Sequence, residues 1–377
     1  LIGTWDGTHI IDITTNPSSP TEVSFIPGSF SSHRDIKTSG DFMYIGTEAN
    51  FGNPDSEEYE IIPQGIQVVD LESNQLVNEW DGVVQSHNIM EHEGYLYVIG
   101  STSSIGFDGS DSWGLDDLIV LDVSNPSNPV KVGGWSGEYL HDVCMYDDIL
   151  YGCGIYTDEM HAFDISDKSN ITLIKSWGGI PKAHACWVSE DGNTVFTGSE
   201  TTGGHIMSFD VTDLSNINLL DEWLPSGGEA WSAHNTFVKD DYLYVSYYTY
   251  GLQIIDISNP SDMQLAGFYD TYNQYVPGAI FNGAWGAFPY FQSNKILISD
   301  RTSGLYVVDF ESIIECNANG DINDDNQTNI LDIVQIMSYI LETSGFSNNQ
   351  QCIADINIDN SVNILDVILI VNILTEN

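Results

Sequence analysis

Residues 118–135 read LIVLDVSNPSNPVKVGGW. A short apolar run rich in branched side chains ends in Asp122, Asn-Pro turns follow, and a second extended run closes on a Trp. Runs of this length, bounded by turn residues, form buried strands rather than helices. The pattern recurs seven times, as HIIDI, IQVVDL, LIVLDV, MHAFDI, IMSFDV, LQIIDI and LYVVDF, ending at Asp12, Asp70, Asp122, Asp164, Asp210, Asp256 and Asp309. A Tyr-, Val- and Gly-rich run precedes the motif, as in FMYIGTE, YLYVIGS, ILYGCGIY, TVFTGSE, YLYVSYY and KILISDR. Segments ending near an aromatic residue follow it, as in LVNEW, TLIKSW and NLLDEW. Four short strands repeated cyclically without helical stretches predict an all-β, seven-bladed β-propeller over residues 1–312.

The blade count leaves a gap. The second and third strand types occur seven times, but the innermost type occurs only six times, starting at His33, His87, His141, His184, His234 and near Asn282. The chain opens in the middle of a blade, and the last blade lacks its outer strand. A complete ring therefore predicts further residues before Leu1.

Five of the nine histidines begin successive inner strands. Inner strands line the channel of a propeller, so His33, His87, His141, His184 and His234 are expected to converge on one axis. Neutral imidazole is a ligand for zinc, copper, iron or nickel, and each ring needs an acceptor to fix its tautomer. Asp35, Asn88, Asp142 and Asn235 are the acceptors that sequence proximity suggests. The alternative is structural: each imidazole bonds the backbone of the next blade. Two insertions, 50–65 with Asp55, Glu57, Glu58 and Glu60, and 102–117 with Asp108, Asp111, Asp116 and Asp117, would surround the same mouth with carboxylates. Such a mouth attracts cations.

The C-terminal segment has a different grammar. DINDDNQTNILD from Asp321 and DINIDNSVNILD from Asp355 each place oxygen-bearing side chains at loop positions 1, 3, 5, 9 and 12. These are Asp321, Asn323, Asp325, Asn329 and Asp332, then Asp355, Asn357, Asp359, Asn363 and Asp366; Gln327 and Ser361 would add backbone carbonyls. This is the oxygen set of a twelve-residue calcium loop, so two calcium ions are expected. Asn326 and Asn360 take the sharp-turn position where glycine is usual. Apolar runs at helical spacing, 330–341 and 364–374, follow the loops, and no comparable helix is expected before them. Both runs are too short to span a bilayer.

Two loop–helix units about 34 residues apart resemble a type I dockerin, a small all-α domain expected over 313–377. That resemblance implies attachment to a cohesin-like or other surface protein. At loop positions 10 and 11, where cellulosomal dockerins often carry Ser or Thr, this chain has Ile330, Leu331, Ile364 and Leu365. The propeller motifs, together with HRDIK (33–37), HDVC (141–144), AHACWVSEDG (183–192) and HNTFVK (234–239), resemble the LVIVD-repeat proteins of the choice-of-anchor B type. That resemblance implies display at a bacterial cell surface. Cys144 and Cys153 match a cysteine pair of that family, and Cys316 and Cys352 stand before the calcium loops; both pairs are candidate disulfides suited to an oxidising compartment. Cys186 is left over.

Composition narrows the partners. Nine Lys and Arg against 55 Asp and Glu give a formal charge of −46, which excludes nucleic acid and anionic membrane as natural partners. A hydrophobic content of 42% supports a large core. No nucleophile elbow, phosphate loop or zinc-protease helix is present. The expectation is a secreted, extracellular calcium protein whose propeller binds an unknown ligand and whose dockerin attaches it, rather than an enzyme. Alternatives are a metalloenzyme with its metal in the histidine ring, and a calcium-bridged subunit of a surface assembly.

Overall fold

The computed structural model describes residues 1–31, 33–48, 64–101, 117–272, 281–291, 293–310, 318–323, 327–341, 345–346, 348–357 and 361–376. The chain divides into two compact units, Leu1–Phe310 and Glu311–Asn377.

The larger unit is a seven-bladed β-propeller. Its antiparallel sheets cover residues 2–27, 34–80, 88–135, 143–178, 183–223, 236–269 and 284–309, here blades 1 to 7. Among the described residues, blades 2 to 6 have four strands, while blade 1 shows no inner strand and blade 7 no outer one. Both consequences of the strand count are therefore visible. The third strand of a complete blade, such as Leu118–Asp122, is buried through its apolar residues. In blade 7 the equivalent Gly304–Asp309 is only partly covered. A cavity of about 180 Å³ lies where blades 1 and 7 meet, lined by Leu1, Ile2, Ile11, Leu297 and Leu305 among others.

The recurring aspartate is a turn former. The carboxylates of Asp12, Asp70, Asp122, Asp164, Asp210 and Asp256 each accept the backbone N–H two residues on, at 2.7–3.0 Å. An Asp that bonds its own following backbone closes the turn into the outer strand. Two residues before it, the pairing of third and fourth strands slips by one residue in blades 1 to 6, for example between Val120 and Leu121. A bulge of this kind sharpens strand twist. Fixed placement of the bulge and the capped turn gives every blade one twist, so inner strands arrive on the axis in register.

The smaller unit holds helices Ile330–Ile340, Asn348–Ala354 and Ile364–Glu376. Ile336, Ile370, Ala354 and Ile322 form its core. A short helix, Asn348–Ala354, stands directly before the second loop, but at 7 residues it is not comparable to the 11- and 13-residue exiting helices. Seven residues carry too little apolar periodicity to announce themselves in sequence. Among the described residues no helix is long and apolar enough to cross a membrane.

Candidate functional site

The five histidines do converge. Neighbouring ring centroids stand 4.4 Å apart for His33–His87, 4.0 Å for His87–His141, 4.2 Å for His141–His184 and 4.5 Å for His184–His234. Blade 7 contributes Trp285, whose ring lies 4.1 Å from His234 and 5.5 Å from His33 and closes the circle. Each residue sits at or just before the start of an inner strand, as the repeat requires. His87 fits because Gly100 opposite has φ +59°, and a Cβ there would stand 2.3 Å from His87 Cβ.

Two carboxylates face the ring, and neither belongs to the expected acceptors. Glu48 Oε1 stands 3.2 Å from His87 Nδ1, and Glu200 Oε2 stands 3.5 Å from His184 Nε2. Both end second strands, after FMYIGTE and TVFTGSE, level with the strand starts that carry the histidines. That shared Gly-Thr/Ser-Glu ending is the signal that would have revealed them. Asn88, Asp142 and Asn235 are each adjacent to a ring histidine, and strand geometry turns adjacent side chains to opposite faces. Asn88 and Asp142 form a separate pair, in which Asn88 donates to Asp142 at 2.7 Å. Asp35 joins it by accepting from Lys37 at 2.6 Å and from the Ile89 N–H at 2.9 Å. Burial, reinforced by Asp35, pushes the Asp142 carboxyl up to about 7.

The ring is electrically unusual. Burial, with neighbouring imidazoles adding to it, holds His141, His184 and His234 well below the ordinary histidine range. His33 falls to about 4 through burial and the adjacent His87. His87 differs: burial pulls it down, but Glu48 reverses the balance and raises it. Glu48 in turn falls to about 2, as His87 and His33 outweigh its burial. Glu200 moves upward because burial outweighs its Tyr248 hydrogen bond and the cations nearby.

Tyr248 donates its hydroxyl to Glu200 Oε1. It does so from a left-handed backbone, φ +45°, which a bulky residue adopts only when its surroundings force it. Its ring packs 4.7 Å from His234, and the Arg301 guanidinium covers Trp285 at 4.5 Å. Buried Tyr248, half-buried Glu200 and exposed Arg301 thus form a support on one side of the ring.

The ring's nitrogens bear on both the structural and the metal-binding alternatives. His234 Nδ1 donates to the Trp285 carbonyl, which is the expected backbone rivet. Nδ1 of His87, His141 and His184 is buried without a well-aligned hydrogen-bond partner. The 3.2 Å approach of Glu48 to His87 is close enough for ion pairing but poorly directed. Ligand atoms of His33, Glu48 and His87 lie within 4.8 Å of one another, and so do those of His141, His184 and Glu200. Two imidazoles and a carboxylate suit a zinc-, iron- or copper-type ion.

The calcium loops are built to one plan. Asp332 and Asp366, at position 12, are fully buried. Asp332 accepts from the Ile322, Asn323 and Asn329 N–H groups; Asp366 accepts from those of Asn357 and Asn363. Asn329 and Asn363 accept from the N–H two residues on and cap the exiting helices. Asp321 and Asp355 are buried beside them. Asp325, Asp359, Asn326 and Asn360 lie outside the described residues, as do the acidic residues of 50–63 and 102–116. Residues 311–377 contain 11 acidic residues and no Lys, Arg or His. Carboxylates buried in so acidic a unit fit a bound dication.

The first disulfide expectation is corrected. Cys144, Cys153 and Cys186 are free and buried. Cys144 pairs with Tyr151, not with Cys153, so the two cysteines are diagonal neighbours. A diagonal pair stands about 7–8 Å apart, beyond disulfide reach. Burial raises the Cys144 thiol to about 11, and the other two thiols also move up. Cys352 is disulfide-bonded. Its expected partner Cys316 lies outside the described residues.

Comparison with known proteins agrees with both units. The LVIVD repeat profile matches residues 2–26, 113–135 and 228–271, and the Dockerin type I domain profile matches 319–375. The chain thus carries LVIVD repeats and a type I dockerin domain, a calcium-binding module. No curated protein matches the chain. Among solved structures, the periplasmic gluconolactonase of Pseudomonas aeruginosa aligns with TM-score 0.61 at 12% identity, covering 82% of this chain and 89% of that one. A Lactobacillus plantarum protein gives 0.60 at 13% identity, covering 80% and 88%. A putative 6-phosphogluconolactonase of Bacteroides fragilis gives 0.54 at 15%, covering 81% and 90%. At these identities the likeness is one of fold.

Proposed function

We propose that this chain is a secreted, surface-attached metal-binding propeller. Two calcium ions order the dockerin, the dockerin docks on a cohesin-like receptor, and the histidine ring holds a transition-metal ion. The carrying observation is the set of buried imidazole nitrogens left without aligned partners beside Glu48 and Glu200. A polar group buried without a partner costs about 1–3 kcal/mol, so several on one axis call for a shared partner. His33, His87 and Glu48 would hold such an ion on one side, and His141, His184 and Glu200 on the other. Four imidazoles held below their usual range stay unprotonated at neutral pH and are ready as ligands.

Attachment has its own observation. Ile330, Leu331 and Val334 on one helix, and Ile364, Leu365 and Ile368 at the matching positions of the other, are exposed. A duplicated apolar face in an otherwise acidic domain suits a receptor with an apolar groove. It replaces the Ser/Thr face of cellulosomal dockerins with one read by hydrophobic contact.

A catalytic reading is favoured by one feature, the strained Tyr248 hydrogen-bonded to a Glu200 whose carboxyl is raised. Such a pair holds a proton beside the ring, and strain of this kind collects at working sites.

Elemental analysis by plasma mass spectrometry, on protein purified without chelator or affinity metal, tests the proposal. Two calcium ions and at least one transition-metal ion per chain are expected, the latter lost on replacing His87 and His184 with Ala. Calcium alone, with none of the transition metals taken up on titration, would return the ring to a structural role.

A further inference from the structure

A second cluster lies outside the ring. His161, on the third strand of blade 4 (Glu159–Asp164), is completely buried. Its Nδ1 is held by Ser176 Oγ at 2.8 Å, across the neighbouring strand. Nε2 points at Glu138, in the linker between blades 3 and 4, with Oε1 at 2.8 Å. That oxygen lies off the direction of an Nε2–H bond, so the nitrogen has no hydrogen-bond partner. Glu159 completes the group, and one ligand atom from each of Glu138, Glu159 and His161 falls within 4.8 Å of the others.

The fold keeps this space clear. A Cβ on Gly154 would stand 2.7 Å from His161 Nε2 and 2.4 Å from Thr157 Oγ1. Gly154 is extended like its neighbours, so its lack of a side chain serves the space beside the imidazole rather than the backbone. Among the described residues, neither Glu138 nor Glu159 pairs with Lys or Arg. Two carboxylates thus converge on a buried imidazole nitrogen, an arrangement that a cation held between them would stabilise.

We propose that Glu138, Glu159 and His161 bind a divalent cation, zinc or manganese, that ties the blade 3–4 linker to blade 4. One nitrogen and two carboxylate oxygens suit these ions, whereas calcium takes oxygens throughout. The linker continues from Glu138 through Tyr139 to His141, and Tyr139 packs on both Tyr156 and His141 at 5.1 and 6.1 Å. The cross-link therefore steadies the segment that presents a ring histidine. It uses no ring residue and stands independently of the ring's metal.

The test is equilibrium dialysis of the full chain against zinc, then manganese, with calcium in millimolar excess to saturate the dockerin loops. His87→Ala/His184→Ala protein is the background, which takes one imidazole from each of the ring's two ligand groups. This protein is expected to bind one zinc or manganese ion per chain, and that ion is lost on adding His161→Gln. Should His161→Gln fail to fold, Glu138→Gln, at a partly exposed linker position, is expected to weaken binding 10-fold or more. No bound ion in the background protein, or binding left unchanged from that background by Glu138→Gln and His161→Gln, would overturn the assignment.

Discussion

The histidine ring and the calcium loops are both assemblies of repeated residues, but they are assembled over different distances. Each calcium loop gathers its oxygens from twelve consecutive residues, and the geometry follows from one local turn and a capped helix. The ring takes one histidine from each of five blades, from His33 to His234, and exists only when the propeller closes. A local site should respond to its ion by folding; a distributed one should be preformed and respond by affinity. The predictions that break or sharpen this contrast descend from there.

The largest effect is expected from calcium removal. Chelation should abolish the helical signal of the C-terminal unit and leave the β-signal of the propeller intact, because buried Asp332 and Asp366 lose their counterion. Circular dichroism before and after chelation checks this, and an unchanged helical signal would refute local coupling. The ring should behave oppositely. His87→Ala/His184→Ala should lose transition metal at the ring while the propeller stays folded and the calcium content stays the same, as elemental analysis would show. If the two sites lost metal together, they would not be separate assemblies.

Next comes the support of the ring. Glu200→Gln keeps the shape but removes the charge facing His184, and should weaken ring metal affinity by about 10–100-fold, as loss of a metal-site partner does. Competition titration with a chelating dye measures it. Gly100→Ala tests the room made for His87. A left-handed φ and a Cβ contact at 2.3 Å should cost about 1–3 kcal/mol, read as a lower thermal midpoint. A neutral outcome would show that the inner strand can shift.

The smallest effect belongs to the motif aspartates. Hydrogen bonds from the following Ser or Thr hold Asp122, Asp164 and Asp210 below the ordinary carboxylate range. A lowered folded-state pKa gives stability present above the unfolded value of about 3.9 and lost as pH falls through the folded value. The propeller should therefore soften below about pH 4, and Asp164→Asn should flatten that part of a midpoint-against-pH curve. An unaltered curve would mean the turns do not share in acid stability.

Much of this was written in single stretches of chain. The apolar-run-plus-Asp motif announced the blades, the strand count announced the incomplete first and last blades, and the His at each inner-strand start announced the ring. Glu48 and Glu200 were hidden because a Glu ending a strand looks like any solvated turn residue. Trp285 was hidden because it breaks the histidine pattern it completes. Cys144 and Cys153 misled because closeness in sequence across a hairpin does not fix the register, and a shift of two residues separates two sulfurs beyond bonding distance.

The sequence alone determined what local rules govern: strand length, the capped turn after each Asp, and the oxygens of each calcium loop, since these depend on neighbours within a few bonds. Tertiary structure alone decided which imidazoles lack partners, which carboxylates face them, and that Tyr248 is forced into a left-handed backbone to reach Glu200. Those properties depend on burial and on direction across blades, and both are set only when strands far apart in the chain are packed around one axis.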